Sequence, residues 1–185
     1  MYYGKVNNKV VEFAKRPKRW DRKLMGKEYS DFLLNCLSSE IGEDVRNIIV
    51  FKENSPIDLV WEALSLGLEA KRFRKTKFRN DGHAKAWLKT EYLSRFDDYE
   101  RETGLNLRTR ILCVTERLWT SEVDRWLRLQ GHFLIETGSI DSIAEKQVAK
   151  ELFIEQFSEI LAQICSSRKV NVLEIQNEKL IEVCA

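Results

Sequence analysis

The chain has 185 residues, of which 43% are hydrophobic and 32% charged, which excludes a disordered or fibrous polymer and is enough for one domain with a real core. Its apolar stretches are short and broken by charge, and the first twenty residues lack an apolar segment ending in a small-residue cleavage site, so neither a membrane span nor a secretory leader is expected. The net charge of +2 hides an asymmetry: residues 1–79 hold 17 Lys+Arg against 11 Asp+Glu, residues 80–135 hold 9 against 9, and residues 136–185 hold 5 against 9.

In chain order, residues 1–23 are basic, contain Pro17, and read as an N-terminal arm. A helix is expected from Gly26, with Phe32, Leu33, Cys36 and Leu37 at three- and four-residue spacing and Gly42 as its stop. Three strands should follow: Asn47–Lys52, Ile57–Trp61 after the break at Asn54-Ser55-Pro56, and Leu66–Phe73. The connection at Glu62–Ser65 carries no Asn-Gly or Asp-Gly signal. Asn80-Asp81-Gly82 caps a long helix that Thr103-Gly104 stops, and Arg110–Thr115 is a strand of the buried, continuous kind. Thr120 and Ser121 cap a short helix ending at Gly131, and His132–Glu136 is the next strand. The Ser142-x-x-Glu145 capping box opens a helix expected to bury Val148, Leu152, Phe157, Leu161 and Ile164. A strand pair, Val170–Ile175 and Lys179–Val183, ends the chain.

This alternation predicts an α/β fold, a three-layer mixed central sheet flanked by helices. Cys36, Cys113, Cys165 and Cys184 form no CxxC pair, which argues against structural zinc and fits a reducing cytoplasm.

The chemistry concentrates on two neighbouring strands. Alternate side chains of a strand share a face, so Glu69 and Lys71 point the same way, roughly 7 Å apart along the strand. Leu66, Leu68 and Ala70 then face the core. On the preceding strand Ile57, Leu59 and Trp61 share one face, and Asp58 falls on the other. Antiparallel pairing sets Asp58 beside Glu69, and two carboxylates so placed repel one another unless a cation lies between them. Magnesium takes oxygen ligands and keeps several waters, and a lysine alongside can orient or deprotonate the attacking water of a phosphodiester hydrolysis. The bland alternative makes Asp58 a turn cap and Glu69–Lys71 a surface pair on an edge strand.

Pro56-Ile57-Asp58, ten intervening residues and Glu69-Ala70-Lys71 resemble the PD-(D/E)xK, or restriction-endonuclease-like, nuclease superfamily. Gly26-Lys27-Glu28 is similar to the glutamate-bearing first helix of that family, and the element order fits its core over residues 24–137. Ile57 departs from the pattern by separating the proline from the aspartate. The resemblance implies a Mg²⁺-dependent DNA endonuclease (Mn²⁺ a substitute), commonly dimeric. In it Asp58, Glu69 and the Ala70 carbonyl hold the metal, Lys71 handles the water, and Glu28 supports through a bound water. Restriction, homing, junction-resolving and mobile-element types are not separated. A non-cleaving nucleic-acid-binding protein of the same fold, a regulator or assembly factor, is the alternative. A first-turn glutamate favouring the helix dipole is the plainer role for Glu28.

Two basic clusters suit DNA as partner: Lys15, Arg16, Lys18 and Arg19 in the first, and Arg72, Arg74, Lys75, Lys77 and Arg79 in the second. Phe73 and Phe78 interleave with the second and could stack on bases, although core anchoring is the commoner use of phenylalanine. His83 and His132 read as structural, and Trp87, Trp119 and Trp126 as core. No glycine-rich phosphate loop and no nucleophile elbow appear, so no organic cofactor is expected. Residues 138–185 add an apolar helix face that includes Phe153 and Ile160, for which a core closed by its own helices has limited room, and predict a homodimer built on this segment.

Overall fold

A computed structural model describes residues 2–6, 9–13, 19–41, 55–73 and 78–168, with side chains over residues 26–40, 55–73 and 78–166. Strands β1 (Tyr2–Val6) and β2 (Lys9–Phe13) pair antiparallel with Val6 opposite Lys9. The expected arm is therefore a hairpin over its first half, in keeping with its tyrosines and valines, which favour strands. Helix α1 (Arg19–Ile41) begins well before Gly26. Arg22, Lys23, Leu24 and Met25 are good helix formers, and they outweigh the roughly 1 kcal/mol that an interior glycine costs.

Strand β3 (Leu59–Trp61), a 3-10 turn over Glu62–Leu64 and strand β4 (Leu66–Lys71) form an antiparallel pair. The turn closes on Ser65, which takes a left-handed φ of 45° and donates its N–H to the Glu62 carbonyl at 2.9 Å. Helix α2 (Asp81–Leu88) starts at Asn80, whose side chain accepts the His83 N–H at 2.8 Å. It passes through a π turn over Lys89–Leu93 into α3 (Ser94–Thr103), which stops at Gly104 with φ 73°. Strand β5 (Thr109–Val114), helix α4 (Ser121–Leu129), strand β6 (His132–Glu136) and helix α5 (Ile143–Arg168) complete the described chain. The capping box is reciprocal: Ser142 N–H donates to Glu145 Oε2 at 2.7 Å, and Glu145 N–H to Ser142 Oγ at 3.2 Å. The expected strand at Asn47–Lys52, the helix stop at Gly42 and the C-terminal strand pair lie outside the described residues.

The main sheet has the order β3-β4-β5-β6, antiparallel at β3–β4 and parallel elsewhere. Helices cover both faces, so this is an α/β protein with a four-stranded mixed sheet. On one face Leu59, Trp61, Leu66, Leu68, Ala70, Ile111 and Cys113 pack against α1 and α5. On the other, Val60, Leu112 and Val114 pack against α2, α3 and α4. Ile57 joins this second face rather than the Leu59 face, because it sits in the bend before β3, where strand alternation does not apply. No helix among the described residues is long and apolar enough to cross a membrane.

Candidate active site

The site lies on the second face, at the end of β4. That strand is flanked by β3 and β5, so it is interior, and the edge-strand alternative for Glu69 and Lys71 does not hold. Leu59 pairs with Leu68, and Asp58 lies in the bend directly before β3, at the Ala70 end of β4. Asp58 Oδ2 accepts the backbone N–H of Ala70 at 2.8 Å, which fixes its carboxylate beside the strand. In an extended strand the carbonyl of a residue points to the same edge as its N–H, so the Ala70 carbonyl also faces the Asp58 side.

Glu69 has no solvent exposure. Its Oε1 receives the Lys71 ammonium and, at 3.1 Å, Nη1 of Arg95 from α3. Its Oε2 is buried and has no hydrogen-bond partner among the described residues. Burial, and secondarily the Asp58 charge, push the carboxyl up to about 7, with Lys71 and Arg95 pulling the other way. A buried carboxylate oxygen without a donor costs a few kcal/mol, so a feature this expensive needs an explanation.

A divalent cation fits these residues. The orphaned Oε2 and the neighbouring Asp58 carboxylate form an all-oxygen donor pair whose mutual repulsion a cation would relieve. Among the described residues no group of three or more His, Cys, Asp or Glu that could hold a metal ion is found, so a metal here would have these two carboxylates as its acidic donors.

Arg95 was not singled out from the sequence, yet a signal was present. Leu88, Tyr92, Phe96 and Tyr99 are buried at helical spacing, and Arg95 is a cation at the border of that stripe, next to Phe96. Spacings of four from Leu88 to Tyr92 to Phe96 overshoot a turn of 3.6 residues, and the wider π turn absorbs the excess. Gly67 completes the placement. A Cβ there would come within 2.7 Å of Leu107 and 2.8 Å of Phe96, so only glycine lets α3 approach the sheet this closely.

The other expected site residues are placed differently. Glu28 Oε2 accepts from Arg72 Nη1 at 2.7 Å, and Arg72 Nη2 pairs with Asp141. The Arg72 side chain is only 7% exposed, so it is an internal clamp between α1, the end of β4 and the turn before α5, not a free phosphate contact. Arg79 is exposed. Lys15, Arg16, Lys18, Arg74, Lys75, Lys77 and the Arg19 side chain lie outside the described residues. Phe73 and Phe78 pack with Trp87 and Trp119 at centroid distances of 5.3 to 5.9 Å, which makes them anchors on either side of residues 74–77. His132 is buried, with Nδ1 3.1 Å from the Tyr92 hydroxyl, and burial lowers it to about 4, as a structural histidine requires. Phe153, Phe157, Ile160, Leu161 and Ile164 lie in the core of this chain, whereas Val148 and Leu152, expected to be buried with them, are exposed together with Ile143 because they lie off the side of α5 that meets the sheet.

Comparison with protein-family models, with curated proteins and with solved structures returns no match for this chain.

Proposed function

We propose that the protein is a metal-dependent DNA endonuclease with a restriction-endonuclease-like core. One observation carries this reading: Asp58, held by the Ala70 N–H, acts by its charge on the fully buried Glu69 beside Lys71, and one Glu69 oxygen is left without a donor. Asp58, Glu69 and the Ala70 carbonyl would hold Mg²⁺, with Mn²⁺ as substitute. When bound, the ion neutralises phosphate charge and acidifies the attacking water. Asp58, fixed by the Ala70 N–H, keeps its orientation without help from solvent. Lys71, 18% exposed, reaches from the buried carboxylate toward the surface, where its Nζ proton can orient a water or move with it. Arg74, Lys75 and Lys77 follow Phe73 in sequence and would serve as contacts to the DNA backbone.

Incubation with plasmid and branched DNA, with and without Mg²⁺, tests the reading. Metal-dependent cleavage that disappears in Asp58→Asn supports it, and cleavage indifferent to that change assigns the activity elsewhere. A second reading has its own support: Lys71 and Arg95 already compensate Glu69, as in a DNA-binding protein that does not cut. DNA binding without cleavage at any metal concentration would select it. Cutting both strands calls for two sites, and a twofold homodimer through Ile143, Val148 and Leu152 would provide them.

A further inference from the structure

The cations at the site differ in how far they reach solvent. Glu69 is 0% exposed, Lys71 18% and Arg95 38%. Arg95 is anchored through one amino group, whose Nη1 lies 3.1 Å from Glu69 Oε1 and donates to the Pro56 carbonyl at 3.3 Å. A guanidinium carries five N–H donors in a rigid fork, and the described residues offer no partner to Nη2 or Nε of Arg95. Arg72, by contrast, spends both its amino groups on carboxylates and is nearly closed off. Of the two cations beside Glu69, Arg95 is therefore the one with both the greater exposure and N–H groups to offer an anion. Asp58 and Glu69 would repel such an anion, so a fixed positive group beside them has a clear electrostatic purpose.

We propose that Arg95 is a substrate contact: it grips a phosphate of the bound nucleic acid with its free N–H edge while Glu69 and the Pro56 carbonyl hold its other edge. This assignment rests on the nuclease reading for where the phosphate sits. It goes further by naming a residue of α3, outside the Asp58–Glu69–Lys71 set, as the group that receives it. A planar, pre-anchored guanidinium suits a phosphate better than a flexible ammonium, because two parallel N–H groups meet two oxygens.

The test is duplex oligonucleotide binding by fluorescence anisotropy across a salt series, with Ca²⁺ in place of Mg²⁺, for the full chain and for Arg95→Ala and Arg95→Lys. Loss of one phosphate contact should flatten the slope of log K against log salt by about 0.9 and weaken binding about tenfold at low salt. Arg95→Lys should restore the slope but only part of the affinity. A role confined to holding Glu69 would lower the melting temperature and leave the salt slope unchanged. That result, or full affinity in Arg95→Ala, overturns the proposal. Arg95→Gln, which keeps a donor for the Pro56 carbonyl without the charge, gives the same reading should the alanine variant fail to fold. Absence of Mg²⁺-dependent cleavage by the unmodified chain, with the slope change still present, sinks the nuclease reading alone and leaves Arg95 as the phosphate contact of a binding protein. A chain that binds no duplex at any salt overturns both.

Discussion

Lys71 and Arg72 are adjacent in sequence, and each pairs with carboxylate, yet the two groups of charges differ in kind. Around Arg72, Glu28 and Asp141 are 37% and 47% exposed, and both amino groups of the arginine are matched. Solvent and hydrogen bonds together leave that cluster satisfied, as in a structural clamp. Around Lys71, Glu69 is wholly buried, Asp58 adds a second negative charge, and one oxygen has no donor. Ion pairs that hold a fold together close their own hydrogen-bond accounts, whereas a site keeps a valence open for something that arrives later.

The largest effect expected from breaking this contrast is on cleavage. Under the proposed nuclease reading, Asp58→Asn or Glu69→Gln should reduce cleavage by on the order of 10³, with DNA affinity equal or higher, since each would remove a metal ligand and a charge that repels phosphate. Gel assays of nicking and of retardation, run on the same preparations, check both halves.

Next in size is the pH dependence of stability. The carboxyl of Glu69 is raised from 4.5 to about 7 in the folded chain, so between those values the folded state binds the extra proton. Stability therefore falls as pH rises across that window, in contrast to the usual behaviour of a paired carboxylate. Denaturant unfolding of the unmodified chain relative to Glu69→Gln should show a difference that moves by about 3 kcal/mol between pH 4.5 and pH 7. A difference that stays flat with pH would mean that the carboxylate is not held in a dry environment.

Arg72 should behave in the opposite way to its neighbour. Arg72→Ala should cost about 2 kcal/mol in chemical denaturation, below the figure for a fully buried pair because Glu28 and Asp141 keep contact with water. Lys71→Ala should remove most cleavage, while Arg72→Ala should leave most of it, because Arg72 pairs with Glu28 and Asp141 and not with Glu69. Equal losses of cleavage in the two variants would erase the distinction between clamp and site.

The smallest effect concerns assembly. Val148→Ser with Leu152→Ser changes exposed positions of α5 and should alter monomer stability by no more than about 0.5 kcal/mol. If the homodimer forms there, light scattering of the unmodified chain gives twice the 21.8 kDa mass and the double variant gives 21.8 kDa. A particle of 21.8 kDa in both leaves Ile143, Val148 and Leu152 as ordinary exposed surface.

Much of this molecule follows from local rules. The period of two along β4 puts Glu69 and Lys71 on one face and Leu66, Leu68 and Ala70 on the other, and the packing of the sheet agrees. Asn80, Gly104, Thr120 and the Ser142–Glu145 box mark helix ends where the structure has them, because capping satisfies backbone groups with side chains only a few residues away. Contacts through space escaped such rules. Arg95 reaches Glu69 from 26 residues downstream, and only after a π turn and a close approach over Gly67 have set its helix. Arg72 belongs by sequence to a basic run, yet Glu28, 44 residues earlier, and Asp141, 69 residues later, draw it inward. Periodicity and capping act over one or two turns of chain, so sequence alone determined which residues share a face. Burial and charge pairing depend on which distant elements arrive there, so the tertiary structure alone decided which of the basic side chains serves the fold and which faces the site.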